Sequence, residues 1–194
     1  KKAFSGQISC IKPFRPGRVM TFNILNGRLE EKSLNIEPPE ERISEEHEAV
    51  SRLKAALEKA VEIRLTNNSG IAFSGGIDST FLAALAKSID VSISLYAVGL
   101  QNSHDLVQAQ YAAEAADMKD SLKTRIISPE EIEAAIPDVI YSTESTDPMK
   151  IAIGLPLYFV AKTEKEDGKR ILLTGQGADE LFAGYSRHEG FLEQ

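Results

Sequence analysis

The stretch Ser74-Gly75-Gly76-Ile77-Asp78-Ser79-Thr80 packs two glycines, an acid and hydroxyl side chains into one short segment. Paired glycines let a backbone come close to a ligand, and free N–H groups where a helix begins form an anion site. Ser79 and Thr80 add hydroxyl donors for phosphate oxygens. Asp78 is the odd member: a carboxylate repels a bare phosphate and makes sense chiefly where a divalent cation lies between them. The lysine and spacing of GxxxxGK[ST] are missing, which separates this loop from that phosphate-binding class. The alternative is a tight strand-to-helix turn with Asp78 as an ordinary helix cap.

A second stretch, "LLTGQGADELFAGY" from Leu172 to Tyr185, repeats the plan of apolar run, glycine loop, acid and helix start. Two such loops at the carboxyl ends of parallel strands fit the crevice where open α/β sheets take ligands. Asp78 and Asp179 would then face one another across a metal–phosphate group. Taken alone, Asp179 and Glu180 also read as first-turn acids favoured by the helix dipole.

The elements that must position these loops are legible around them. Four short apolar runs, "GIAF", "VSISLYAV", "LKTRII" and "RILLT", read as buried strands. Helical patterns separate them: Phe81 to Lys87 with a start near Asp78, His104 to Asp117, Pro129 to Ile140, and Asp147 to Glu166. The last opens with Asp147 as N-cap and Pro148 at the first helical position, and a kink is expected at Gly154 and Pro156. Strands alternating with helices predict an α/β fold, an open parallel sheet with helices on both faces. Ahead of it, Val50, Leu53, Leu57, Val61 and Leu65 recur at helical spacing from Ser44 onward, behind Glu45, Glu46 and Glu48. Gly6 to about Asn35 carries β-like runs and turn signals and reads as a small N-terminal β appendage, and "NIEPPEERIS" as a linker. The domain division expected is 1–43 for appendage and linker and 44–194 for the main domain.

Composition narrows the partners. The 194 residues and 42% hydrophobic content suffice for a domain with a proper core. A formal charge of -7, with no long basic run, argues against nucleic acid or an anionic membrane surface and for a small molecule. A single cysteine, Cys10, excludes an intrachain disulfide framework and fits a reducing cytoplasm. No apolar run approaches the length of a membrane-spanning helix. His47, His104 and His188 lack metal-ligand spacing and read as surface or helix-end residues.

"SGGIDST" resembles the pyrophosphate loop of the N-type ATP pyrophosphatases, and "TGQGADELFAGY" is similar to the second signature of the asparagine synthetase family. "LYAVGLQNSHDLVQAQYAAEAADM" and "PLYFVAKTEKEDGKRILLTGQGAD" resemble that family's intervening segments. "IKPFRPGRVMTFN" resembles the stretch joining its glutaminase domain to its synthetase domain. The resemblance runs from about Ile11 to Tyr185 and implies an adenine nucleotide alpha hydrolase-like fold. It also implies ATP-dependent activation of a carboxylate with pyrophosphate release, followed by displacement of AMP by ammonia, turning aspartate or a similar acid into its amide. By this resemblance Ser74, Gly75, Gly76, Asp78, Ser79 and Thr80 form the ATP and pyrophosphate loop. Ala72 and Val98 offer backbone to the adenine, and Thr174 and Gly175 lie beside the ribose and adenylate. Asp78 and Asp179 are the acids of a Mg2+ site, and Asp78, Asp179 and Gln176 stand at catalytic positions. For Ala72 and Val98, plain core packing is the competing reading.

Departures accompany the likeness. Gln176 stands where the family usually has an acid associated with amination, and an amide cannot accept a proton as a base. An arginine of the family is replaced by Ala152, with Lys150 nearby. The chain ends at Gln194, ahead of the helical region that supplies the family's catalytic lysine. Cys10 is expected to be structural rather than a glutaminase nucleophile. Three readings therefore stay open: an amide-forming ligase, a non-catalytic adenine-nucleotide module, and a β-lactam synthetase-like ligase or other amidotransferase. The partners expected are ATP or AMP, a small carboxylic acid, a glutaminase or C-terminal partner segment, and a second copy in a homodimer, in the cytoplasm.

Overall fold

The computed structural model describes residues 14–34, 42–89 and 92–185. The "GQISCI" run, Cys10, most of the linker and His188 lie outside the described residues. The chain divides into two compact units, Lys1–Leu53 and Lys54–Gln194, and the division falls inside a helix, α1 (Glu46–Glu62).

In the first unit, β1 (Arg18–Phe22) pairs antiparallel with β2 (Leu29–Ser33), Met20 opposite Glu31. The turn between them is built by Asn23, whose Oδ1 accepts the N–H of Leu25 at 3.0 Å, as expected of an Asx residue there. Arg18 and Glu31 form an ion pair across the strands at 3.0 Å.

The apolar stripe expected along α1 is buried only at its far end. Val50 and Leu53 are exposed, Leu57 is half-buried, and Val61 and Leu65 are buried. The helix stops at Glu62, and Leu65 joins the core from the segment beyond it.

The second unit is built on a four-stranded parallel sheet: β3 (Ser69–Ala72), β4 (Ser94–Gly99), β5 (Leu122–Ile126) and β6 (Ile171–Leu173), in the order β5-β4-β3-β6. Ile71 lies opposite Leu95 on one side and Leu173 on the other. The crossovers are α2 (Ile77–Ser88) between β3 and β4, and α3 (His104–Ala115) between β4 and β5. Two helices, α4 (Pro129–Thr143) and α5 (Pro148–Glu166), return the chain to β6, and the short α6 (Ala178–Phe182) follows it.

Strand alternation sorts the core into two layers, since successive side chains point to opposite faces. Leu95 and Ala97 pack with Ile71, Ala83 and Ala86 of α2, and Ala109 and Ala113 of α3. Val98, of opposite parity, packs with Ala135 of α4 and Phe159 of α5. The sheet is therefore covered on both faces, as the alternation of patterns predicted.

Two helix starts follow their sequence. Asp147 Oδ1 accepts the N–H of Met149 at 2.9 Å with Pro148 at the first helical position. α4 opens with a capping box in which Ser128 Oγ accepts the Glu131 N–H and the Glu131 carboxylate accepts the Ser128 N–H. α2 begins at Ile77, one residue before the start expected near Asp78. α5 runs as one helix through Gly154 and Pro156, the ring nitrogen of Pro156 having no hydrogen to donate within it.

Candidate functional site

Because β3 sits between β4 and β6, the chain leaves β3 toward one side of the sheet and returns to the other at β6. The two glycine loops follow these adjacent strands, at the point where the strand order reverses. Ligands of open α/β sheets occupy this crevice.

A cleft of about 580 Å³ opens there. Its walls include Ser74, Asp78 and Ser79 from the first loop, and Thr174, Gly175, Gln176 and Asp179 from the second. Ala72 and Val98 contribute from the strand ends. These nine expected site residues are brought together. Gly75, Gly76 and Thr80 are not among the wall residues; Gly75 is buried beside them and Gly76 is exposed.

The first loop is held by its own hydroxyls. Ser79 is buried; its Oγ lies 3.3 Å from the Ser74 N–H, which it accepts, 3.2 Å from Ser74 Oγ, and 3.1 Å from Gly76 O, to which it donates. Its hydroxyl thus ties the loop together. Thr80 Oγ1 is buried with no hydrogen-bond partner among the described residues. Gly75 adopts φ +75°, and a Cβ there would lie 2.6 Å from the carbonyl oxygen of Gln108 on α3, so only glycine fits.

The helix-cap alternative for Asp78 fails on geometry. The N-cap of α2 is Gly76, no side chain caps the helix, and Asp78 occupies the second helical position with its side chain on the cleft wall. Asp179 occupies the equivalent position in α6. Its Oδ1 lies against Gly184, where an added Cβ would come within 2.1 Å. Among the described residues no three His, Cys, Asp or Glu side chains cluster as a metal site.

Sequence reasoning missed several wall residues. Ile153, Pro156, Leu157 and Val160 of α5 form an apolar side, and Asp105 of α3 adds a carboxylate. Glu180 and Tyr185 also line the cleft, with the Tyr185 hydroxyl donating to Glu180 Oε1 at 2.6 Å. The proline in α5 was noticed as a helix problem rather than as a wall, and Asp105 reads as one more first-turn acid. Four acids, Asp78, Asp105, Asp179 and Glu180, and no lysine, arginine or histidine, line the cleft among the described residues. An anionic ligand in such a field calls for an accompanying cation.

A sequence profile described as asparagine synthase matches residues 52–192. A putative asparagine synthetase [glutamine-hydrolyzing] 1 of Methanocaldococcus jannaschii is 39% identical over 187 residues, 93% of this chain and 34% of that protein. Asparagine synthetase B [glutamine-hydrolyzing] of Escherichia coli is 32% identical over 152 residues, 70% of this chain and 27% of that protein. The carboxyethyl-arginine beta-lactam-synthase of Streptomyces clavuligerus is 36% identical over 155 residues, 76% of this chain and 29% of that protein. The chain thus spans about a third or less of the length of these curated relatives. Among solved structures, an NH3-dependent NAD synthetase from Campylobacter jejuni superposes with a TM-score of 0.44 at 18% identity, covering 74% of this chain and 62% of that one. With the profile matched across most of its length, the chain belongs to the asparagine synthase family.

Proposed function

We propose that this chain carries the nucleotide-binding and carboxylate-activating part of an ATP-dependent amide ligase, acting on aspartate or a similar small acid in the cytoplasm. The observation that carries the reading is the pair of glycine loops at the ends of adjacent strands β3 and β6, which put Asp78 and Asp179 on the walls of one cleft. In the reaction, a carboxylate oxygen of the acid bonds to the α-phosphorus of ATP. The bond from that phosphorus to the bridging oxygen breaks, and pyrophosphate leaves with the electron pair. Ammonia then attacks the acyl carbon and releases AMP, giving up a proton as the amide forms.

The chain's residues have distinct tasks in this reading. In this reading the Gly76 N–H and those of the first turn of α2 face the departing pyrophosphate. Ala72 and Val98 offer their backbone to the adenine, and Thr174 and Gly175 lie beside ribose and adenylate. Asp78 and Asp179 would hold Mg2+, an ion usually bound by one or two carboxylates together with substrate phosphates. Bound there, it would offset charge on the phosphates. That donor set fits the cleft, which has carboxylates to spare and no cationic side chain among its described walls. Gln176 can orient an amine nucleophile through hydrogen bonds but cannot take its proton.

Residues 1–43 are read as the end of a glutaminase-type domain with its linker, and 44–194 as the synthetase-type domain. A glutaminase or C-terminal segment would supply ammonia and further catalytic groups, and a homodimer is the assembly proposed. The match to a β-lactam synthase favours keeping a second ligase reading in view, in which the activation step is shared and the nucleophile changes.

ATP–pyrophosphate exchange, screened over aspartate and other carboxylic acids, tests the reading. Exchange that depends on one added acid is the expected result. ATP binding without exchange for any acid would leave the nucleotide-module reading, and absence of ATP binding would overturn both.

A further inference from the structure

The loop after β3 leans on α3 through a side chain outside its motif. Gln108 lies 33 residues beyond Gly75, and its Nε2 donates to the Gly75 carbonyl oxygen at 3.2 Å. The α3 backbone comes equally close: a Cβ on Gly75 would meet Gln108 O at 2.6 Å and Ala109 N at 2.9 Å.

In a trans peptide the carbonyl and the N–H point in opposite directions. With the Gly75 carbonyl drawn toward α3, the Gly76 N–H of the same peptide is turned away from α3. It points to Ser74 Oγ, 3.3 Å away, on a residue that lines the cleft. The reverse orientation would aim a carbonyl oxygen at any anion in the loop. Glycine on both sides of this peptide gives little intrinsic preference between the two orientations. A bond from outside the loop must choose.

We infer that Gln108 is a positioning residue that locks the Gly75–Gly76 peptide with its N–H toward the cleft and so makes the loop a phosphate receptor. The inference rests on the reading that this loop receives the phosphates of a nucleotide.

Wild type, Gln108→Leu and Gln108→Glu would be titrated with ATP, pyrophosphate and adenosine in the presence of magnesium, each first checked for folding by thermal melting. Losing one neutral hydrogen bond should weaken ATP and pyrophosphate about three- to tenfold in Gln108→Leu. Gln108→Glu should weaken them by about tenfold or more, because its carboxylate repels the Gly75 carbonyl and favours the flipped peptide. Adenosine should bind all three proteins alike. With glycine labelled by nitrogen-15, the Gly76 amide resonance should move on adding pyrophosphate to wild type and not to Gln108→Glu.

Equal losses for adenosine and ATP, or pyrophosphate affinity unchanged in Gln108→Leu, would overturn the role assigned to Gln108. Should Gln108→Glu fail to fold, Gln108→Leu decides. A wild-type chain that binds neither ATP nor pyrophosphate would instead bring down the functional reading, and the assignment with it.

Discussion

Gly175 and Asp78 are in such close contact that a Cβ on Gly175 would lie 2.9 Å from the Cβ of Asp78 and 3.2 Å from the Ser79 nitrogen. The loop after β6 therefore rests directly on the first turn of α2, and the two acids share a cleft because the loops touch. Gly175→Ala is expected to push the loops apart, as an overpacked contact does, at a cost of about 1–3 kcal/mol. Denaturant unfolding should show that loss, and calorimetric titration should show ATP binding weakened at least tenfold. A stable variant with full ATP affinity would mean that the contact does not shape the cleft.

Much of this was written in the sequence because local chemistry dictates it. Glycine loops, a proline behind an aspartate, and apolar runs of strand length declare themselves in any context, and they placed β3 to β6 and the start of α5. The walls contributed by Ile153, Pro156 and Leu157 were not legible, since an apolar residue on a helix reads as core until the fold shows which face borders a cleft. Ser79 was legible as a hydroxyl at the site, but its bonds inside the loop were not. Only the folded loop shows its Oγ within hydrogen-bond reach of Gly76 O. Gln108 had no signal at all, because its partner lies on a distant segment brought close by the crossover of α3.

Ser79 and Thr80 should behave in opposite ways. Ser79→Ala removes the buried hydroxyl that joins the Ser74 N–H to Gly76 O across the loop, and is expected to cost about 1–3 kcal/mol. Thr80→Val replaces a buried Oγ1, without a partner among the described residues, by a methyl group of similar size, so stability should be unchanged or slightly raised. Thermal melting separates the two. A large loss in Thr80→Val would reveal a partner for that hydroxyl outside the described residues.

Glu164 gives a pH dependence whose sign follows from its burial. The residue is 4% exposed, its Oε1 has no hydrogen-bond partner among the described residues, and loss of solvation raises its pKa above the ordinary 4.5. The Ile171 N–H and Lys169 pull the other way without cancelling the effect. With the folded value above the unfolded one, the folded state binds more protons between the two, so stability falls as pH rises through that window. Glu164→Met, of similar length and without charge, should gain on the order of 1 kcal/mol relative to wild type at about pH 8. Most of that gain should vanish below about pH 4, where the carboxyl is neutral in both states. Urea unfolding at the two pH values checks this, and a pH-independent difference would show that the charge is not the cause.

Asp78 offers the sharpest separation between binding a cation and merely shaping a turn. Its side chain lines the cleft, while Gly76 holds the N-cap position of α2. Removing its charge has two opposing consequences. Repulsion toward phosphate falls, which by itself would improve binding of a metal-free nucleotide. The carboxylate that would bind the cation is lost, which should weaken any ligand that depends on the metal, and hydrogen bonds to a charged partner are worth about 1.5–3 kcal/mol. Asp78→Asn is therefore expected to weaken ATP binding about ten- to a hundredfold with magnesium present, and to leave AMP binding in a chelator unchanged or slightly tighter. Titration calorimetry with and without magnesium measures both arms on one protein. Equal losses in the two arms would assign Asp78 to the architecture of the turn, because a structural defect cannot distinguish a nucleotide that brings a metal from one that does not.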